Sequence, residues 1–188
     1  MFENVKKLTK YKWGGEFLNS LKPTQNEIAI PDSTSKNIKK GSMLLFIYVG
    51  ITFLITVSSV MFVSSAFGYW SNYIGNGWKV RAIMNGLVSA VISGVVIYLI
   101  MKYFTGDKKR KPMPYFVLFC LSAVGIAYLV WGVIAGLFML GYNPLGGLLT
   151  IAGTFVSLIG YSDVAVGCID FCLEANKKAP KIEEKKEN

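Results

Sequence analysis

Histidine is missing from this chain, and only three cysteines occur among its 188 residues. Without histidine there is no His-based catalytic triad, no HExxH zinc helix and no His-ligated haem. Cys120 and Cys168 fall inside apolar runs and Cys172 lies at the end of the last one, so no disulfide framework is implied. Cys168 and Cys172, four apart on one helical face, read as small buried apolar residues, since two thiols without further ligands make a poor zinc site. Walker-type and Rossmann phosphate-binding patterns are absent, as are potassium-filter residues. Charge is scarce as well: 16% of residues are charged, against roughly a quarter in soluble domains. These absences lead to an expectation of no enzyme and no cofactor or metal.

Long apolar blocks fill the space that charge leaves. The chain is 53% hydrophobic with a mean hydropathy of +0.45. Four runs, about 42–67, 82–104, 115–140 and 145–171, each meet the ~20 residues that carry a helix across the hydrocarbon core. In lipid every backbone polar group must be paired internally, which leaves helices or closed barrels, and the ten-residue alternating segments of a barrel are not present. The expected fold is therefore all-α: a polytopic four-transmembrane-helix bundle. No apolar stretch followed by a small-residue cleavage site precedes the first run, so that run is expected to remain as a span.

Basic residues set an expected orientation. The segment to Lys40 has eight lysines; the connection between the second and third runs has Lys102, Lys108, Lys109, Arg110 and Lys111; and the tail has five more lysines. Only Lys79 and Arg81 fall on the other side. With 18 of the 20 cations on one side, the positive-inside rule puts both termini in the cytoplasm, in the cell membrane. The net charge of +9 then reads as topology and attraction to anionic lipid rather than nucleic-acid binding.

Around the spans lie a basic arm (1–41) and a charged tail (172–188). The arm holds two short amphipathic pieces, Phe2/Val5/Leu8 opposite Lys6/Lys7/Lys10, then Phe17/Leu18/Leu21, and reads either as lying on the inner leaflet with Trp13 at headgroup depth or as unstructured. Between the first two spans Trp70, Tyr73 and Trp78 read as an interfacial aromatic belt. The short Gly141–Leu145 connection makes the last two spans an antiparallel hairpin.

Small residues mark expected contact faces, because helices associate in lipid through close packing and hydrogen bonding. The second span has Gly86, Ala90 and Gly94; the third has Gly125, Gly132 and Gly136; the fourth has Gly146, Gly153, Gly160 and Gly167 at strict seven-residue steps. The hairpin suggests that the glycines of the last two spans face each other. With the ladder at one heptad position, Leu149, Val156, Asp163 and Asp170 follow on the same seam, so Asp163 points into protein. An acid at membrane depth is a functional candidate by default. Its expected partner is Lys102, at the inner end of the second span. Seven residues separate the two acids by about 10 Å of helix, too far for an acid/base pair on that ground alone.

Besides a platform whose basic arm and tail recruit a peripheral partner, two functional expectations follow. One is a non-enzymatic helix-packing subunit or scaffold, in a membrane complex or a homo-oligomer, with anionic lipids and other membrane subunits or itself as partners. The other is a small-solute or ion transporter whose polar path runs past Thr52, Thr56, Ser59 and Asp163.

Overall fold

The computed structural model describes residues 2–24, 27–66, 77–106 and 108–178. The described residues form helices α1 (Glu3–Lys10), α2 (Gly15–Ser20), α3 (Asp32–Ala66), α4 (Gly77–Phe104), α5 (Pro112–Leu140) and α6 (Pro144–Lys178). The last four are long and apolar enough to cross a membrane, so the protein is a membrane-embedded, all-helical chain. Trp70, Tyr73 and most of the charged tail lie outside the described residues. Trp78 opens α4, with the Lys79 ammonium 6.0 Å from its ring centre.

Two of the four helices outrun their apolar segments. At 1.5 Å per residue, α3 and α6, each of 35 residues, span about 52 Å, well beyond the ~30 Å hydrocarbon core. The excess lies at the end rich in basic residues, called the basic end below. There α3 begins at Asp32, so the expected boundary at 41/42 falls inside a continuous helix. Asp32 supplies a negative charge where the helix dipole favours one, and the Ser35 N–H bonds the Pro31 carbonyl at 3.0 Å. At the opposite end Asn143 starts α6: its side-chain oxygen accepts from the Gly146 N–H at 3.0 Å, and Pro144 takes the first helical position, where a missing N–H is harmless. The same oxygen accepts from Ser58 Oγ at 3.2 Å, which ties the hairpin to α3.

The helices lie in the lateral order α4, α3, α6, α5, each antiparallel to its neighbour. Helix α6 is the centre: 72% of its most apolar stretch is buried in the protein, against 6% for α4. Among the described residues helix α4 packs mainly along α3 and meets α5 at its end, where Phe104 touches Tyr115. A Cβ on Gly86 would stand 3.0 Å from the Thr56 methyl, and one on Gly94 3.3 Å from the Phe46 ring. Ala90, a turn from each, lines a shallow groove with Phe46 and Gly50.

The glycine ladder faces a different helix from the one expected. Gly153 meets Ile51 and Tyr48; Gly160 meets Leu45 and the Gly41 carbonyl; Gly167 meets Ile38 and the Thr34 carbonyl. All of these belong to α3. Gly146 sits under its own cap, Asn143, and Met139. The glycines of α5 do face α6, but they receive side chains: Gly125 takes the Tyr161 ring, Gly132 the Thr154 side chain and Gly136 the Ile151 side chain. Residues 154 and 161 follow ladder glycines by one position, which turns them about 100° round the helix. Helix α6 thus has two packing faces, and its thinnest one is given to α3.

The backbones of α3 and α6 come very close at Gly41. A Cβ on Gly41 would stand 2.6 Å from the Gly160 carbonyl oxygen and 2.9 Å from the Val164 nitrogen, rigid atoms that cannot move aside cheaply. Gly41→Val should therefore destabilise the protein by about 1–3 kcal/mol, the usual range for overpacking. Gly50→Ala, where nothing lies within 4 Å of the new methyl, should not. Thermal unfolding of the two variants in detergent, followed by circular dichroism, checks this. Equal midpoints would show that the helices can separate at Gly41 without loss.

Candidate functional site

Asp163 is one turn from the Gly41–Gly160 crossing and is completely buried. The register that brings Gly41 to Gly160 also brings Lys40 beside the acid, with Nζ 3.1 Å from Oδ2: an ion-pair distance, without the alignment of a hydrogen bond. The other oxygen, Oδ1, accepts from Asn4 Nδ2 at 2.8 Å, and Asn4 also donates to Asn37 Oδ1 at 3.2 Å. Three helices, α1, α3 and α6, thus supply one buried polar cluster. An isolated carboxylate in a dry interior would be strongly disfavoured, so a cation and an amide donor on its two oxygens are what keep it there.

The arm is folded over this cluster. Asn4, Lys7, Leu8 and Tyr11 recur at helical spacing and form the face of α1 that meets α6. Lys7, expected on the polar side of α1, instead ion-pairs with Asp170 at 2.8 Å. Trp13, expected at headgroup depth, stacks on Phe119 of α5 with ring centres 6.2 Å apart, and its indole N–H bonds the Leu8 carbonyl at 3.0 Å. Beyond α2, Leu21 and Ile28 are buried in the core. Asn176 donates to the carbonyls of Ser20 and Lys22. Ile28 and Arg110 exchange backbone hydrogen bonds at 3.1 and 2.9 Å, pinning the arm to the α4–α5 connection.

Beneath the arm lies the main hydrophobic core, at the basic end of the bundle and not at its middle. Tyr115 and Phe171 stack with ring centres 3.8 Å apart, and the Tyr115 hydroxyl donates to the Phe104 carbonyl at 3.1 Å. Cys168 and Cys172 are buried in this core as small fillers.

Lys102 is not the partner of Asp163. It is exposed on α4, which packs against α3 on a flank that α6 does not share. The proposed polar path is not brought together either. Thr52 Oγ1 donates to the Val49 carbonyl at 2.7 Å and Thr56 Oγ1 to the Thr52 carbonyl at 3.1 Å, both within their own helix. Thr52, Thr56 and the half-buried Ser59 are 12 to 19 residues past Lys40 on α3, or about 18–28 Å further along the axis. Sequence reasoning missed Lys40, Asn4, Lys7 and Asn37. The available signal was Gly41 itself, a small residue next to a cation at the start of an apolar run.

Comparison with protein-family models, with curated proteins and with solved structures returns no match.

Outside the membrane region, the Lys7 ammonium feels opposing influences. Burial pulls its pKa down, but the hydrogen bond and charge of Asp170 outweigh this, and the net shift is upward from 10.5. A raised cation stabilises the docked arm at all pH values below its ordinary pKa, and the contribution is lost as pH rises through the raised value. On the alkaline side the Lys7 contact should thus hold through neutral pH and loosen as pH rises into strong alkali. The Lys40–Asp163 pair can be tested by a double-mutant cycle. Lys40→Met should cost about 1–3 kcal/mol, less than the loss for a fully sealed pair because Lys40 is half-exposed. Adding Asp163→Asn should recover much of it. Strict additivity of the two unfolding shifts would mean that the pair does not couple.

Proposed function

We propose that the protein is a non-enzymatic scaffold or subunit of a membrane assembly, and that the folded basic end is the surface it presents to partners. The observation that carries this reading is the use made of Asp163. Its two oxygens are engaged by Lys40 and Asn4, and the carboxylate helps to hold α1 rather than standing open in a pathway. The arm that results is an ordered cap, with Lys6, Lys10, Lys36 and Lys39 exposed on it and on the adjoining turn of α3.

The small-residue faces support this reading less than they do from sequence alone. Gly86, Gly94, Gly125, Gly132, Gly136 and the ladder are met by side chains or backbone of the same chain, so they call for no second copy. The reading therefore rests on the cap. Both termini are assigned to the cytoplasm of the cell membrane, where the exposed cations would meet anionic lipid and acidic surfaces of other membrane subunits or of a second copy. Nucleic acid is not assigned as a partner, because the cations track the ends of the helices as topology requires.

Cross-linking in the protein's own membranes, followed by native mass measurement, tests the proposal. The expected species is larger than the 20.8 kDa monomer. Reversing Lys6, Lys10, Lys36 and Lys39 to Glu, which leaves Asn4, Lys7 and Lys40 intact, should shift it towards monomer. A monomer in the wild-type membranes would remove the scaffold reading. In parallel, vesicles with wild type and with Asp163→Asn should show equal proton and small-ion leak; flux that depends on Asp163 would favour the transporter instead.

A further inference from the structure

Helices α4 and α5 flank the α3–α6 pair on the same side and hardly meet, leaving a cleft between them. It has a volume of about 430 Å³, within the range of small-molecule sites. Its floor is protein, with Ser122 and Val164 2% and 3% exposed, whereas its rim residues Ile92 and Leu121 are about 60% exposed. The cleft therefore opens sideways, towards the lipid. Its walls are mainly aliphatic, with the edges of Tyr48 and Tyr161 among them.

The cleft has a limited depth. On α4 it runs from Ile92 to Ile100 and on α3 from Ser42 to Val49, which at 1.5 Å per residue is about 10–12 Å. That fits within half of the ~30 Å hydrocarbon core, on the side of the basic end. A groove of this length is a receptacle for one leaflet and not a passage across two.

Cations stand where it ends. One turn past Ile100 come Tyr103 and Phe104, and one turn before Leu118 comes Tyr115, whose hydroxyl bonds the Phe104 carbonyl and closes the cleft. The connection that joins these two turns carries Lys108, Lys109, Arg110 and Lys111, against the single acid Asp107 in its sequence. Arg110 is held in place. Its backbone is bonded both ways to Ile28, and its guanidinium lies 4.3 Å over the Tyr103 ring. Its Nε is buried and has no hydrogen-bond partner among the described residues, whereas the residue as a whole is half-buried, so that part of it reaches the surface.

We propose that this cleft binds one acyl chain of an anionic phospholipid from the leaflet at the basic end, with the lipid phosphate held by Arg110 and its neighbouring lysines. The occupant follows from the juxtaposition: an apolar slot one leaflet deep, open to lipid, ending at a cluster of cations. A zwitterionic lipid would fill the slot but would gain less at its end. A free anion would meet the cations but leave the slot empty.

Native mass spectrometry of the full-length protein in detergent, titrated with phosphatidylglycerol or with phosphatidylcholine of identical chains, tests this. A cation near an anionic lipid surface contributes roughly a factor of five, so phosphatidylglycerol should be retained at least about fivefold more tightly, as a one-to-one adduct. Arg110→Ala should weaken phosphatidylglycerol binding more than phosphatidylcholine binding, and so reduce that preference. Leu121→Trp, which fills the rim of the cleft, should reduce both adducts about fivefold or more. Val124→Trp, on the exposed face outside the cleft, should reduce neither. Should Leu121→Trp lower the unfolding temperature, Leu121→Phe is read in its place. Equal retention of the two lipids, or full retention by the cleft-filled variant, would overturn the proposal. So would equal competition by chainless glycerol phosphate, which would show that the cations bind without the cleft.

Discussion

At Gly41 and Gly160 two helix backbones come so close that a single added methyl would stand 2.6 Å from a carbonyl oxygen. Lipid tails are as apolar as the side chains they would replace, so helices in a membrane are held by close packing and hydrogen bonds rather than by expulsion of water. The Gly41–Gly160 crossing is one place where this chain achieves such an approach. Once it is made, the antiparallel register of α3 and α6 is set. Ile38 and Thr34 must then meet Gly167, Tyr48 and Ile51 must meet Gly153, and Ser58 must meet Asn143 at the far end of the hairpin. The same register places Lys40 beside Asp163. The polar cluster is therefore a consequence of the packing and not an independent feature laid over it.

The two acids of α6 illustrate how burial divides otherwise similar side chains. Asp170 is 22% exposed and its partner Lys7 44% exposed, so water screens their attraction and the pair contributes about 1 kcal/mol at most. Asp163 is fully buried, and there the arithmetic changes: loss of a partner exposes the full desolvation penalty of the carboxylate. Lys40 can serve it because its stem lies along protein while its head reaches towards the surface. Asn4 completes the arrangement from a helix distant in sequence. The arm is held by this buried contact and by Leu8, Tyr11, Phe17 and Leu21 in the core, with the Lys7 pair adding alignment more than stability.

The spans were legible in the sequence because length and hydropathy are properties of one helix at a time. Each expected run lies mostly within a helix of the structure, and three of the four glycines at seven-residue spacing, Gly153, Gly160 and Gly167, line one contact. What the pattern could not carry is the identity of the helix on the other side. Periodicity specifies a face, and the short hairpin loop made α5 the natural guess, yet α6 has two faces and turns its ladder to α3. The Lys102 assignment failed for a related reason. Depth was judged from the ends of the apolar runs, whereas α3 continues ten residues into polar sequence, and its helical extension carries Lys40 to the level of Asp163. The docking of the arm on the protein was not legible, because apolar residues such as Leu8 and Phe17 suit a lipid surface as well as a protein one, and the sequence reading weighed only the leaflet and an unstructured arm. The contacts that reveal it are tertiary: Asn4 and Lys7 stand opposite two acids some 160 residues away.

The arrangement of the helices also limits what kind of machine this can be. Helices α3, α6 and α5 form a continuous packed layer, while α4 is attached along one flank through Gly86 against Thr56 and Gly94 against Phe46. A transport path between helices needs polar groups at successive depths, facing one another across the contact. Here the hydroxyls of Thr52 and Thr56 are turned back onto their own helix, and the buried acid lies at the other end of α3, next to the last lysine before the apolar run. The space that α4 leaves open is apolar, one leaflet deep and closed below by the Tyr115–Phe104 contact. The buried acid is thus taken up in holding the arm, while the open volume lies between α4 and α5 and ends near the cations of their connection. One fold therefore uses its buried carboxylate to fix a segment of its own chain and leaves its main opening to apolar contacts.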